Sequence, residues 1–338
     1  MRDADDTASW VTAITTIANY ALLIVVGFLR DLLCGKGRTE AEGYAPLLND
    51  WQVSLRCLRR SSHASVKTNH THHRQDFYTR RLYHRIQDCF NRPIDSAPGA
   101  WCSVMLRDFD PAHEGRMKLT GESMLALNLS SYNYLGFAES ELDLRDDVIR
   151  TLRQSGASAC SSRSELGTCS EHLELEALVA DFIGKEAAMV IGMGFASNSA
   201  VLPALVHAGD LVLSDELNHR SIVDGARLSQ ATVRVFRHNC ARSLQRELRM
   251  AIARGQPRTR RPWRKIVVLT EGIYSMEGEI CNLAAISAVC KRYRAYLYVD
   301  EAHSIGALGR TGRGVREHCG VAAEDVDVFM GTFTKVCQ

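Results

Sequence analysis

From residue 128 onward, short apolar runs alternate with longer stretches of helical periodicity. The runs are rich in β-branched residues, and a helix-like segment such as "ARSLQRELRMAIAR" (241–254) follows most of them. Parallel strands need a long crossover, usually a helix, so this alternation is typical of βαβ units. We therefore predict an α/β domain with a mainly parallel sheet over 128–338. The predicted strands lie in "AAMVIG" (187–192), "LVLS" (211–214), "TVRVF" (232–236), "KIVVLT" (265–270), "AYLYVD" (295–300) and "DVDVFM" (325–330).

Polar residues follow several of these runs at the point where each predicted strand ends. Ligands of open parallel sheets bind beyond the carboxyl ends of the strands, so these residues are the candidates for a functional site. They are Ser214, Asp215, Ser275, Asp300, His303, Thr332 and Lys335. Two glycines, Gly192 and Gly194, precede a predicted helix start that Ser197 or Asn198 would cap. Exposed backbone N–H groups at such a start suit a single phosphate.

The combination of these groups narrows the choice of cofactor. The acidic "VDEAHS" (299–304) also fits ATP-driven helicases, but the phosphate loop G-x-x-x-x-G-K-[ST] that such enzymes need does not occur. Ser197 stands where a dinucleotide fingerprint needs its third glycine. Pyridoxal phosphate (PLP) fits better, because its aldehyde needs a lysine amine and its ring nitrogen needs a carboxylate. Taken singly, a lysine is usually a surface charge and a strand-end aspartate is often a helix cap.

Composition and charge exclude other classes of protein. The net charge is +2, with 46% hydrophobic and 24% charged residues, so nothing in the overall balance calls for nucleic acid. The eleven cysteines are scattered, without Cys-x-x-Cys pairs, which favours reduced thiols over disulfides or a zinc site. His70, His72 and His73 lack a spaced Cys or Asp partner, so we expect a solvated loop there and no metal.

The amino terminus, residues 1–34, has the composition of a membrane anchor. Residues 7–29 carry no charge, and "YALLIVVGFL" (20–29) is strongly apolar. As a helix this stretch would be about 34 Å long, enough for a bilayer core of about 30 Å. A buried or interfacial helix is the alternative. Basic residues follow the stretch and acidic ones precede it, so the positive-inside rule places the rest of the chain in the cytosol.

Two further segments precede the predicted α/β domain. Residues 35–75 have the composition of a linker with a basic, His-rich insertion, because "CLRRSSHASVKTNHTHHRQ" (57–75) is polar and aperiodic. Residues 76–127 are predicted to form an N-terminal helical arm. Its first part, "DFYTRRLYHRIQDCFNR" (76–92), places apolar residues near helical spacing, and Pro93 ends the helix.

Several motifs together resemble a known family. "SYNYLGF" (131–137), "SDELNHRSIVDGARLS" (214–229), "EGIYSMEGEI" (271–280), "YVDEAHSIGALGRTGRG" (298–314) and "DVFMGTFTK" (327–335) are similar to those of the α-oxoamine synthases. The resemblance covers most of 76–335 and implies the large domain of a fold-type I PLP-dependent transferase. Within the family, "NRPI" (91–94), "GQPRTRRPWRKI" (255–266) and the apolar amino terminus resemble the lysine-bearing subunit of eukaryotic serine palmitoyltransferases. That subfamily condenses L-serine with palmitoyl-CoA to 3-oxosphinganine and releases CO2.

The resemblance implies a role for each motif residue. Lys335 would form the Schiff base with PLP, Asp300 would pair with the ring nitrogen, and His303 would bond the ring's phenolic oxygen. His219 would stack on the ring and help to orient the substrate carboxylate. The remaining implied contacts are Gly194, Phe195 and Thr332 at the phosphate, Ser275 beside the cofactor, and Asn133 at the substrate.

The resemblance also sets expectations about partners and extent. It implies a heterodimer with a homologous subunit that lacks the lysine, at the endoplasmic reticulum membrane with the catalytic part facing the cytosol. The family continues beyond the lysine into a small domain that carries a carboxylate-binding arginine, so we expect this chain to be C-terminally truncated. A non-catalytic, membrane-tethered partner chain remains an alternative, as do aminolevulinate and amino-oxononanoate synthases, which belong to the same family.

Overall fold

The computed structural model describes residues 92–110, 116–129, 131–138 and 145–335, with separate helical positions between 14 and 26. The chain divides into two compact units, which are described in turn. The smaller unit comprises 1–96 and 102–126, and the larger comprises 97–101 and 127–338. The predicted linker (35–75) and the helix predicted at 76–91 lie outside the described residues. So does most of the predicted membrane segment, and no helix in the described parts is long and apolar enough to cross a bilayer.

The smaller unit is built on a pair of strands, β1 (Trp101–Asp110) and β2 (Arg116–Leu127). Cys102 and Val104 are buried while their neighbours are less so, which is the two-residue period of a strand. The prediction of a helical arm over 76–127 is therefore wrong for 101–110 and 116–127. The buried residues Cys102 and Val104 are two positions apart, which places them on one face of a strand, whereas a helix would place them on different sides.

The larger unit contains a five-stranded sheet, in which every neighbouring pair is parallel. The strand order is β4-β3-β5-β8-β9. The strands are β3 (Leu211–Asp215), β4 (Thr232–Phe236), β5 (Ile266–Glu271), β8 (Tyr296–Asp300) and β9 (Val328–Met330). The predicted parallel α/β sheet is thus confirmed, and all five strands lie at predicted apolar runs. A short antiparallel pair, β6 (Ile273–Tyr274) and β7 (Glu279–Ile280), follows β5.

Helices cover both faces of this sheet. In chain order they are α1 (Arg145–Ser155), α2 (Ser170–Ile183), α3 (Gly194–Leu205), α4 (Arg220–Leu228), α5 (Ala241–Arg254), α6 (Leu283–Tyr293) and α7 (Val315–His318). Leu211 and Leu213 of β3 pack in one apolar cluster with residues of α5 and α6. Val212, which points the other way, packs in a second cluster with residues of α3 and α4. Strand β3 is buried along its whole length because both of its faces are covered.

One predicted strand is absent from the described structure. Residues 187–192 have no regular secondary structure. Side chains, and not a neighbouring strand, satisfy the backbone at Val190: its N–H donates to Glu176 Oε1 at 2.7 Å, and its carbonyl accepts from Arg163 Nη1 at 2.7 Å. The apolar run therefore connects α2 to α3 as an irregular segment.

Helices α3 and α4 approach each other closely at Gly225. A Cβ atom placed there would lie 2.5 Å from the backbone oxygen of Asn198 and 3.0 Å from Leu202 Cδ1. Real Cβ atoms do not come that close to a backbone oxygen, so this contact requires glycine. The contact matters beyond packing, because it fixes the turn of α3 that carries Asn198 against the helix that follows His219.

Gly225→Ala is expected to destabilise the protein although alanine is the better helix former. Overpacking of a fitted core costs about 1–3 kcal/mol, which exceeds the gain of about 1 kcal/mol in helix propensity. Urea unfolding measures the change. Gly192→Ala is the matched control, since nothing lies within 4 Å of a Cβ atom there. If the two variants are equally stable, the close approach of α3 and α4 is not a constraint.

Candidate active site

The carboxyl ends of the parallel strands bring the candidate residues together. Asp300 ends β8 and Glu271 ends β5, and the two residues are register partners on adjacent strands. Lys335 follows β9, the neighbour of β8 on the other side. His219 and His303 lie on the loops that leave β3 and β8. A parallel sheet makes this grouping possible because all its strands end at one edge.

The centre of the site is the buried carboxylate of Asp300, which is only 4% exposed. Oδ2 accepts a hydrogen bond from Asn198 Nδ2 at 2.7 Å, and Oδ1 accepts from the backbone N–H of Ala302 at 2.9 Å. Burial raises the pKa of Asp300, while these hydrogen bonds and the charge of Lys335 oppose that rise. A cationic group beside this carboxylate would favour its ionised form.

Asn198 links Asp300 to the His219 loop. Its Oδ1 accepts from the Tyr298 hydroxyl at 2.7 Å, and Nδ2 also donates to Ser221 Oγ at 2.9 Å. The prediction that Ser197 or Asn198 caps the helix is wrong, because α3 already begins at Gly194 and Met193 is its N-cap. With both side-chain atoms bonded inside the protein, Asn198 is 1% exposed and fixes the position of Asp300.

His219 is held in one orientation at the start of α4. Its Nδ1 accepts the backbone N–H of Ser221 at 3.2 Å, and Ser221 Oγ lies 2.7 Å from the same nitrogen. Because a backbone N–H can only donate, Nδ1 is unprotonated here and the ring proton sits on Nε2. The backbone N–H of His219 donates to Glu271 Oε1. The ring also meets Phe195 edge-on, with centroids 6.1 Å apart.

Glu271 is a second buried carboxyl group in the site. Burial, and then repulsion from Asp300, raise its pKa from 4.5 to about 8. Two carboxyl groups at adjacent strand ends cannot both ionise easily in a buried site, so the pair tends to keep a proton unless a cation lies nearby. The electrostatics of the site therefore favour a positively charged ligand.

Lys335 provides an amine on the same edge of the sheet. Burial lowers its pKa, and Asp300 and Glu271 act in the opposite direction. Its Nζ lies 5.7 Å from the centroid of the Tyr132 ring, a cation–π contact. Its backbone oxygen accepts the N–H of Tyr134 at 3.1 Å, which ties this lysine to the segment "SYNYLG" (131–136).

His303 contacts the same two tyrosines. Its Nδ1 lies 2.9 Å from the Tyr134 hydroxyl, and the Tyr132 ring meets it edge-on at 5.7 Å. Burial, followed by the nearby Lys335 and His219, lowers the pKa of His303 from 6.5 to about 4. The imidazole is therefore neutral at physiological pH and offers one N–H donor and one acceptor.

Gly194 and Thr332 lie side by side at the start of α3. A Cβ atom on Gly194 would lie 3.4 Å from Thr332 Oγ1, so the missing side chain keeps this space open. Thr332 Oγ1 is also 2.8 Å from Thr334 Oγ1. The first N–H groups of a helix have no partner within it, and here they lie beside hydroxyl groups. This cradle has the donors that a phosphate needs.

Three of the predicted residues lie apart from these groups or make other contacts. Ser275 lies exposed in the turn between β6 and β7. Asn133 uses its side chain in a turn, donating to the Pro98 carbonyl at 3.2 Å and accepting the N–H of Ala138 at 3.2 Å. Asp215 accepts from the backbone of Leu217 and Asn239 and contacts His238 at 2.8 Å, so it organises the loops after β3 and β4.

Sequence reasoning missed several residues of the site. Glu271 follows the strand-end rule as well as Asp300 does and could have been found by it. Asn198, Ser221 and Tyr298 could not, because their roles depend on contacts between segments that are far apart in the chain. Tyr132 and Tyr134 flank Asn133 in a motif that had been singled out for the asparagine alone.

Comparison with known proteins identifies relatives along almost the whole chain. Long chain base biosynthesis protein 2b of Arabidopsis thaliana is 50% identical over 329 residues, which are 97% of this chain and 63% of the relative. Protein 2d of Oryza sativa subsp. japonica is 52% identical, covering 96% of this chain and 63% of the relative. Human serine palmitoyltransferase 3 is 46% identical over 95% of this chain and 55% of its own length. This chain thus spans less than two thirds of these relatives.

Solved structures share the fold. The serine palmitoyltransferase of Sphingomonas wittichii superposes with a TM-score of 0.61 at 27% identity, covering 88% of this chain and 61% of its own. A serine palmitoyltransferase structure that contains PLP has a TM-score of 0.61 at 28% identity, covering 77% of this chain and 61% of its own.

A family model gives the clearest assignment. The model for aminotransferase class I and II matches residues 126–337, which include the whole parallel sheet and every candidate residue named above. Because this match extends over more than half of the chain, the protein belongs to the aminotransferase class I and II family.

Proposed function

We propose that this chain carries the catalytic centre of a serine C-palmitoyltransferase. The reaction joins the α-carbon of L-serine to the acyl carbon of palmitoyl-CoA, breaks the thioester C–S bond, and releases the serine carboxyl group as CO2, leaving 3-oxosphinganine. The observation that carries the proposal is the placement of Lys335 on the same sheet edge as the buried Asp300, with His219 and His303 on adjoining loops. Relatives named serine palmitoyltransferase support the choice of substrates.

The residues present fit PLP. Asp300 is a buried carboxylate whose raised pKa calls for a cation, and a protonated pyridine nitrogen would supply one. Lys335 offers an amine, and Gly194 with Thr332 forms a cradle for the phosphate. Bound there, PLP supplies an aldehyde that links covalently to an amine, and a ring that withdraws electrons from the substrate α-carbon. Phe195, His303 and Ser275 complete the proposed contacts, Ser275 on sequence resemblance alone.

Lys335 is the proposed proton carrier. A lysine with an ordinary pKa is almost always charged and cannot accept a proton. Burial lowers the pKa of Lys335, so more of the amine is neutral and can take a proton from the substrate α-carbon or return one. Asp300 and Glu271 limit this shift, which keeps the amine able to act as an acid as well.

The two histidines have complementary roles in the proposal. His219 presents its Nε2–H, because Ser221 occupies Nδ1, and this donor is suited to the substrate carboxylate. His303 is neutral, so it can donate a hydrogen bond to an anionic phenolic oxygen without adding a competing positive charge beside Lys335. Asn133 is a weaker candidate for substrate contact, since its amide is engaged in a turn.

Partners and location follow from sequence resemblance and hydropathy. We propose a heterodimer with a homologous subunit that lacks the lysine, attached to the endoplasmic reticulum membrane through residues 1–34 and facing the cytosol, where acyl-CoA is available. Alkaline carbonate extraction tests the attachment, because a membrane-spanning chain stays in the pellet while a peripheral chain is released.

Lys335→Ala is expected to abolish covalent capture of PLP. The full chain is incubated with PLP and reduced with borohydride, and its peptides are mapped by mass spectrometry. The pyridoxyl group should be found on Lys335 in the parent and be absent from the variant. Lys291→Ala is the matched control, because Lys291 is exposed and pairs with Asp325 at 2.5 Å, away from the site. A label on another lysine in the parent would contradict the proposed centre.

Substrate use distinguishes the remaining alternatives. The PLP-loaded chain, alone and with its proposed partner subunit, is given palmitoyl-CoA with serine, glycine or alanine, and CO2 release is measured. Serine-dependent release supports the proposal. Release of CO2 from glycine or alanine only when a shorter dicarboxylic acyl-CoA replaces palmitoyl-CoA would assign an aminolevulinate or amino-oxononanoate synthase. Stable pairing without PLP capture or turnover would assign a non-catalytic partner chain.

Glu271→Gln is expected to flatten the pH dependence of stability of the PLP-free chain. Because the folded-state pKa of Glu271 is about 8 against 4.5 unfolded, the folded state holds an extra proton between these values. The free energy of unfolding of the parent is therefore highest below the pKa of Glu271 in the unfolded state. It falls as pH rises through the pKa of Glu271 in the folded state, by at most ~1.4 kcal/mol per pH unit. Glutamine keeps an acceptor for the His219 N–H but does not titrate. Urea unfolding from pH 5 to 9 measures how the free energy of unfolding changes with pH in the parent and in the variant. Equal slopes for the two proteins would contradict a protonated Glu271.

A further inference from the structure

Helix α5 exposes a stripe of arginines. Arg242, Arg246 and Arg249 are all exposed, at spacings of four and three residues, which places them on one face of the helix. The opposite face is fully buried through Leu244, Leu248 and Ala251. The orientation of the helix is thus fixed by its core contacts, and the arginine stripe is held toward solvent.

The loop after α5 continues this positive surface. Arg254, Arg258, Arg260 and Arg261 are exposed. The loop folds back on itself, since the N–H of Gln256 donates to the carbonyl of Arg261 at 2.8 Å and that of Arg260 donates to the carbonyl of Gln256 at 3.0 Å. These contacts keep the loop compact at the carboxyl end of α5, where the helix dipole also favours cations.

Five of these arginines form no ion pair in the part of the chain that the structure describes. We define the basic face as Arg249, Arg254, Arg258, Arg260 and Arg261. Within the described residues none of the five forms an ion pair, whereas the neighbouring Arg264 makes two bonds of 3.0 Å to Asp210. Residues 241–265 hold eight arginines and one lysine against a single glutamate, in a chain whose net charge is only +2. Such a concentration of uncompensated charge is an electrostatic binding surface.

The basic face lies away from the active site. The loop leads into the first residue of β5, Ile266, whereas Glu271, a buried carboxyl group of the candidate site, ends that strand. The basic face therefore lies near the amino end of the sheet, opposite the edge that carries Asp300 and Lys335. A ligand bound there leaves the active-site edge open.

We propose that the basic face binds an anionic phospholipid surface. Several exposed arginines spread over a helix face and a loop can contact many headgroups at once, each adding about fivefold in affinity near such a surface. Ile252, 45% exposed on α5, offers an apolar side chain beside them. Single-stranded nucleic acid would need exposed aromatic rings for stacking, but Trp263 is packed against the core and donates its indole N–H to Ala251. The inference does not depend on the proposed reaction.

Vesicle binding by the full chain tests the proposal. Sedimentation is compared between phosphatidylcholine vesicles and vesicles that also contain phosphatidylserine. The apolar amino terminus binds both types, so the measured quantity is the gain in affinity caused by phosphatidylserine. For the triple variant Arg249→Gln, Arg258→Gln, Arg261→Gln, the gain in affinity should be at least about tenfold smaller than for the parent. Raised salt should reduce the gain in affinity of the parent in the same way.

A charge-matched control separates the basic face from net charge. Arg153→Gln, Arg227→Gln, Arg292→Gln removes the same charge from exposed positions elsewhere and should keep the full gain. The proposal is overturned if phosphatidylserine gives no gain, if both triple variants lose it equally, if inorganic phosphate at constant ionic strength displaces the chain, or if an RNA oligomer binds the basic face more tightly than the vesicles do.

Discussion

A single buried carboxylate, Asp300, determines which groups must surround it in the site. A carboxylate removed from water is costly unless it is hydrogen-bonded and paired with a cation. The chain meets the first need with Asn198 and the backbone of Ala302. Asn198 in turn is fixed by Tyr298 and by the glycine contact between α3 and α4. Core packing thus sets the position of the group on which the proposed chemistry depends, so a packing defect some distance away is also a defect in the site.

The second need, for a cation, explains the electrostatics of the sheet edge at which the parallel strands end. Glu271 lies beside Asp300 and has its own pKa raised, so the two carboxyl groups together demand positive charge. Lys335 supplies part of it, but burial lowers its pKa. A bound group that carries a proton on a ring nitrogen would satisfy the carboxylates and release the lysine to act as a base. The same electrostatics favour a ligand that places a protonated ring nitrogen beside these two carboxyl groups, as PLP would.

Much of this arrangement could be predicted from sequence because it follows from local rules. The alternation of apolar runs located all five strands of the main sheet, and the strand-end rule selected Asp300, His303, Thr332 and Lys335. What could not be predicted depends on distant contacts. The bond from Asn198 to Asp300 spans about a third of the chain, and no local pattern marks it. The run at 187–192 has the composition of a strand but pairs with no other strand in the described structure. Side chains form the hydrogen bonds with the backbone of Val190 that a neighbouring strand would otherwise form.

The polarity of the parallel sheet separates two opposite electrostatic surfaces. Carboxylates gather where the strands end, and the arginines of α5 and its following loop gather where β5 begins. A net charge of +2 conceals this separation, which is why the overall balance gave no sign of an anionic partner. Substrates that enter at the strand ends would not compete with a lipid surface bound at the other end. The proposed reaction takes a soluble amino acid and forms a lipid, so it would use both kinds of contact, and the polarity of the parallel sheet keeps the two contacts apart.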